Sequence, residues 1–182
     1  MKAILMSIKP QHVANILNEL KTLEIRKRFP KDYVGWVYIY CTKDGYISEN
    51  GLDPYNQYFA IRHKPRLTPN YMRGRVVARF WCDKVDNYAN GSKIAFENGT
   101  YIFGTNADFE TILKPSCLTE DELYDYCEDL CFCAIHITKL EIFDYPKEIY
   151  EMKRLEHFGI RNKCEMLVPI TRAPQSYCFI EI

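Results

Sequence analysis

The 182-residue chain has no excess of either charge: 24 Lys and Arg stand against 24 Asp and Glu. It has no apolar run long enough to cross a bilayer as a helix. The longest, Val34 to Cys41, is strand-sized, against the roughly 20 residues a span requires. Met1 to Ser7 carries one charge and a short apolar run before Lys9-Pro10, without the apolar centre of a secretory leader. A cytoplasmic protein that makes no membrane contact is expected. Glycine is scarce, with no Gly-rich loop to cradle phosphate and no Gly-x-Ser-x-Gly elbow to present a nucleophile. His12, His63, His136 and His157 fall in neither HxxxH nor HExxH spacing, and a core or rim role is expected for them. Neither a cofactor nor a metal is expected.

What is present excludes disorder: 14 Tyr and 10 Phe supply more apolar surface than a disordered chain carries. The length suits a single core. The eight cysteines, in a cytoplasmic chain, are expected to be reduced core thiols. Cys127, Cys131 and Cys133 beside His136 have CxxxCxC spacing rather than a CxxC pair, and Cys133 falls in an apolar run, which argues against zinc. The zero net charge hides an asymmetry. Residues 1–75 hold 13 basic against 6 acidic side chains, and residues 76–182 hold 11 against 18. From Pro54 to Cys82 there is no acid at all, while Arg62, Lys64, Arg66, Arg73, Arg75 and Arg79 lie among Tyr55, Tyr58, Phe59 and Tyr71. Such a stretch could track phosphates while bases stack on the tyrosines, or it could be a solvated basic loop entering an edge strand. The acidic counterweight is placed at Glu120 to Asp129.

Periodicity orders the rest. Val13, Ile16, Leu17 and Leu20 predict an amphipathic helix from Pro10 to Lys21, and Thr22 to Arg26 then switches to period two. Strands are predicted over residues 2–8, 34–41, 75–82, 99–103, 133–142 and 176–181. Thr119, with Glu122 three residues on, forms a capping box that opens a short helix. Residues 146–158 read as helical or irregular. Without a βαβ rhythm, the fold expected is α+β: a small mixed β-barrel with peripheral helices, formed by 1–182 as one domain.

Lys21-Thr22-Leu23-Glu24-Ile25-Arg26 bears the most chemistry. Alternation places Glu24 and Arg26 on the strand face opposite Leu23 and Ile25, with Lys21 at the helix end. An ammonium, a carboxylate and a guanidinium held together can bind a phosphate or base edge, and in a dry cleft they shift one another's ionisation. The plainer alternative is a surface Glu–Arg pair beside a lysine capping a helix C-terminus. With Lys21 read as unburied, Lys21→Ala is expected to leave the melting temperature almost unchanged.

Ser7-Ile8-Lys9-Pro10, Ile16-Leu17 and Lys21-x-x-Glu24-x-Arg26 resemble the signature of the ASCH domain, a member of the PUA-like superfamily. The family typically reads Gly-x-Lys-x-x-Glu-x-Arg, and Glu19 stands where the glycine is usual. The resemblance continues through Gly35 to Cys41, Gly74 to Asp83, Leu118 to Leu123, Ala134 to Ile137 and Tyr145 to Lys147. It ends in Arg172-Ala173-Pro174-Gln175-Ser176-Tyr177-Cys178, similar to the close of phage and prophage members. Residues 42–73 are the least similar part and are expected to be an insertion.

The resemblance implies a cytosolic binder of RNA or a nucleotide at a cleft near the signature. Lys21 and Arg26 would meet phosphate, Glu24 would orient Arg26, and Trp36 or Tyr38 would stack a base. Arg66, Arg73 and Arg79 would assist, and Ser176 is included on the resemblance alone. A related branch hydrolyses an acylated cytidine nucleoside with a lysine, a threonine and a later glutamate. Here Lys21 matches the lysine, but Glu24 and Arg79 occupy the other two positions, so that activity does not carry over. Two alternatives stay open. One is a hydrolase of a nucleic acid or modified nucleoside, with Lys21 as base and Glu24 as proton shuttle. The other is a protein-interaction accessory without a ligand.

Overall fold

The computed structural model describes residues 2–43, 61–62, 64, 66–90, 92–97, 100–106, 110–127, 130–158 and 164–182. They form two compact units: Met1–Asn18 with Gly35–Phe80 and Leu140–Ile182, and Glu19–Val34 with Trp81–Lys139.

In the first unit, β1 (Lys2–Ile8) is buried along its whole length after Lys2. A strand covered on both faces reads as a near-continuous apolar run, as Ala3 to Met6 does, and the one buried hydroxyl, Ser7, donates to the Pro174 carbonyl at 2.7 Å. It pairs in parallel with β3 (Gly35–Cys41) and antiparallel with β12 (Tyr177–Glu181). Helix α1 (Pro10–Leu17) starts on its proline and buries Val13, Ala14, Ile16 and Leu17, the face its spacing predicts. It is shorter than the periodicity suggests, because Asn18 caps it and Glu19 turns left-handed at φ 59°. The short helix α2 (Pro69–Met72) leads into β4 (Arg75–Cys82), and β9 (Thr138–Glu148) lies beside β4 at the sheet edge. With β10 (Lys153–Phe158) and β11 (Cys164–Pro169), the seven-stranded order is β11-β10-β12-β1-β3-β4-β9. Ala3, Leu5, Tyr38, Tyr40, Val76, Met152, Ile170 and Ile180 form its core.

The second unit is a five-stranded sheet ordered β2-β8-β5-β6-β7, from β2 (Leu23–Arg26), β5 (Val85–Ala89), β6 (Ser92–Glu97), β7 (Thr100–Asn106) and β8 (Phe132–His136). Helices α3 (Glu110–Ser116) and α4 (Glu120–Tyr126) supply Ile112 and Leu123 to a core with Ile25, Cys127, Phe132 and Ala134. The predicted capping box is present: Glu122 N–H donates to Thr119 Oγ1 at 3.2 Å, and Thr119 N–H donates to Glu122 Oε2 at 2.8 Å.

Four expectations need correction. Among the described residues both sheets are open, not closed into a barrel. At the β11 edge, Glu165, Met166, Leu167 and Pro169 are all exposed, so that edge has no buried face on which to curl the sheet shut. The strand expected over 133–142 is two strands. Ile137 leaves the ladder to donate its N–H to the Thr22 carbonyl, and Lys139 turns at φ 44°. Residues 146–158 are mostly extended, as the end of β9, a 3₁₀ turn (Ile149–Glu151) and β10. Pro146 fits this extended course because β9 is an edge strand, where proline is tolerated. The helix expected to reach Lys21 stops at Leu17.

Most of the expected insertion, residues 44–60, 63 and 65, lies outside the described residues. Its ends meet where the Gly74 N–H donates to the Cys41 carbonyl at 2.8 Å. Cys41, Cys82, Cys117, Cys127, Cys131, Cys133 and Cys178 are free thiols. Burial pushes Cys41 up to about 12 and Cys82 to about 11, so both stay protonated and behave as core residues.

A non-glycine residue in the left-handed region is strained by its Cβ, by about 1–2 kcal/mol, partly offset by the extra chain entropy a glycine would lose. Glu19→Gly is therefore expected to stabilise the protein by roughly 0.5–1 kcal/mol, read as a higher midpoint in urea denaturation.

Candidate functional site

The site grows from the end of α3. A helix leaves its last carbonyls without partners inside the helix. Here Cys117 turns left-handed at φ 52° and folds the chain back, so that Leu118 N–H donates to the Leu113 carbonyl and Cys117 N–H to that of Lys114, both at 3.2 Å. The two remaining carbonyls are met by the segment before β2. Thr22 N–H donates to the Pro115 carbonyl at 2.8 Å, and Lys21 Nζ donates to the Ser116 carbonyl at 2.5 Å. Lys21 therefore does cap a helix C-terminus, but that of α3 rather than of its own helix. It is also 2% exposed, which overturns its reading as an unburied lysine. The negative end of the helix dipole favours an ammonium there.

Glu24 links the two cations. Its Oε2 lies 3.4 Å from Lys21 Nζ and its Oε1 lies 2.9 Å from Arg26 Nη2. The alternation of β2 is as expected, yet Glu24 is buried along with Leu23 and Ile25, so both strand faces are covered. The Arg26 side chain, at 11% exposure, is the member of the three nearest water.

Sequence reasoning missed Tyr126, on the last turn of α4. Burial pushes its phenol up, while the Arg26 guanidinium pulls it down and Glu24 pushes it up, so its hydroxyl senses both charges. Lys27 Nζ sits 5.6 Å from its ring centroid. The signal was available: Tyr126 follows the buried Leu123 by three residues, on the same helix face.

Trp36, Tyr38 and Arg79 belong to the first unit and form their own group. Arg79 lies over the Trp36 ring, 4.1 Å from its centroid, and donates from Nη1 to Tyr38 Oη at 3.1 Å. Its Nε and Nη2 both lie 2.7 Å from Glu141 Oε2. Arg66 is exposed in the turn before α2, and Arg73 follows α2 beside Cys41. Ser176 meets β1 through its backbone, accepting the Ser7 N–H at 2.9 Å.

Three cations of the basic stretch have partners on one strand. Lys64 pairs with Asp144, Arg75 with Glu148 and Arg79 with Glu141, so the counter-charges of these three lie on β9.

No protein-family model matches the chain. No curated protein matches it either. Solved structures do. An ASCH protein from Zymomonas mobilis matches with TM-score 0.54 at 15% identity, over 98% of this chain and 87% of that one. A Tyr-to-Phe variant of that protein matches with TM-score 0.55 at 15% identity, over 100% and 91% of the two chains. A Ser-to-Ala variant matches with 0.53 at 14%, over 98% and 88%. The fold is therefore ASCH-like, an α+β arrangement with one mixed and one antiparallel sheet, both open among the described residues.

Removing one member of a buried ion pair leaves its partner exposed to the low dielectric, at a cost of about 3 kcal/mol or more. Lys21→Ala is expected to lower the melting temperature by on the order of 10 °C in a chain of this size. A drop of under about 2 °C in differential scanning calorimetry would show that the ammonium is not held as described.

Proposed function

We propose that this chain is an ASCH-type protein of the phage or prophage kind that binds RNA or a nucleotide through phosphate. In this reading the 182 residues act as one domain with an insertion at 42–73, in the cytoplasm. One observation supports it above the others. Two cations, the buried Lys21 and the more exposed Arg26, both pair with the buried Glu24 carboxylate and bring positive charge to it from either side. The α3 carbonyls offset part of that charge at the Lys21 end. At the Arg26 end, the part of the group nearest water, the guanidinium fork suits a phosphate.

The roles then differ from one residue to the next. Arg26 would meet the phosphate, Glu24 would fix the plane of its guanidinium, and Lys21 would hold Glu24 against the helix end. Tyr126, whose phenol senses the Arg26 charge and whose ring lies under Lys27, offers an aromatic surface. The hydrolytic alternative draws less support. A general base must accept a proton, and Lys21 Nζ is donating to the Ser116 carbonyl and facing Glu24.

The test is a titration of short single-stranded RNAs and nucleoside mono-, di- and triphosphates, followed by fluorescence anisotropy and calorimetry. A charge-assisted hydrogen bond is worth about 1.5–3 kcal/mol, so Arg26→Ala should weaken the preferred ligand by about 10- to 100-fold. Glu24→Gln should bind at least as well as the parent, since it keeps its shape and loses its repulsion for phosphate. An Arg26→Ala protein that binds every probe like the parent would remove this site from the function.

A further inference from the structure

Strand β9 runs beside β4 at the sheet edge, and three of its carboxylates meet three cations of the acid-free stretch. Arg79 engages Glu141 at 2.7 Å, Arg75 Nε engages Glu148 Oε1 at 2.8 Å, and Lys64 pairs with Asp144. Both arginines also stack on rings, Arg79 over Trp36 at 4.1 Å and Arg75 over Tyr71 at 5.0 Å. An arginine with an anion at its edge and a ring on its face stands as it does when gripping a phosphate beside a stacked base.

The pairs are open to water, with the cations 29–35% and the acids 41–75% exposed. Exposed pairs are weak and screened by salt, so a polyanion offering several phosphates at once can compete with them. Lys64 holds the Asp144 carboxyl below its usual range, so at neutral pH the competitor is a true anion. Arg75 and Arg79 lie four residues apart on the same face of β4, about 13 Å, the length of about four stacked nucleotides.

We propose that Glu141, Asp144 and Glu148 are a built-in competitor that masks a phosphate-binding strip of Lys64, Arg75 and Arg79, and that single-stranded nucleic acid binds by displacing them. The proposal rests on the nucleic-acid reading above. It uses only residues of the first unit, so it can fail while that reading stands.

The test compares the parent with Glu141→Gln/Asp144→Asn/Glu148→Gln. The control is Asp32→Asn/Asp83→Asn/Asp125→Asn, which removes the same charge from exposed positions off the strip. Glutamine at 148 keeps an acceptor for the 3₁₀ turn that Glu148 caps. A double variant, Glu141→Gln/Asp144→Asn, spares that turn altogether. Each is titrated with an oligouridine of about 15 nucleotides across a salt series, with an oligoglutamate peptide as second probe. Freeing three cations should tighten RNA binding about tenfold or more at low salt. It should also steepen the log–log salt slope by about 2, at roughly 0.7 per phosphate on a single strand, and the double variant should steepen it by about 1.4. The control should keep the parent's slope.

No gain in the triple variant, or an equal gain in the control, overturns the masking. A larger gain for oligoglutamate than for RNA assigns the strip to an acidic protein and overturns it as well. If the parent binds RNA through Arg26 and the triple variant gains nothing, masking alone fails. If no protein in the set binds RNA, masking fails together with the nucleic-acid reading.

Discussion

The second unit depends on the hydrogen bond from Lys21 Nζ to the last carbonyl of α3. Buried ammoniums are costly, and this one is offset by three features at once: the Ser116 carbonyl, the helix dipole behind it and the Glu24 carboxylate. The same bond joins the chain leaving α1 to a helix some 95 residues downstream. With Thr22 N–H on the Pro115 carbonyl beside it, the pair sets where β2 begins and so which residues of β2 face inward. Glu24 and Arg26 have their positions because Lys21 has its own.

Two groups of charges in this molecule behave in opposite ways. The Lys21–Glu24–Arg26 group is buried, so each member is costly to leave unmatched and the geometry is held tightly. The pairs along β4 and β9 are half-open to water, so each contributes little and yields to salt or to a competing anion. The buried group suits a fixed binding geometry, and the open pairs suit an exchangeable surface. A chain with zero net charge holds both, the open pairs because cations of residues 64–79 meet acids more than 60 residues away on β9.

How much of this was legible in the sequence depended on how local its cause was. β1, the buried face of α1, the alternation of β2, the limits of β4 and the Thr119–Glu122 box all follow from periodicity or capping within a few residues. Glu19 was visible as a departure from a glycine pattern, and its left-handed φ is the physical content of that pattern. The burial of Lys21 was hidden because the helix it caps is not its neighbour in sequence. The partners of Arg79 and Lys64, 62 and 80 residues away, were hidden for the same reason. Openness of the sheets was misjudged because closure depends on the edge strands, and β10 and β11 carried too little apolar alternation to be read.

The central claim is that Lys21 and Glu24 are coupled within a buried charged group. A double-mutant cycle measures this most directly, using urea denaturation of the parent, Lys21→Met, Glu24→Gln and the double variant. Methionine keeps the length of the lysine stem, and glutamine keeps the shape of the carboxylate. Coupling between directly interacting buried charges should make the double variant more stable than the sum of the single losses predicts, by about 1.5–3 kcal/mol. Additivity within about 0.5 kcal/mol would mean that the two groups do not sense each other, and would contradict the account.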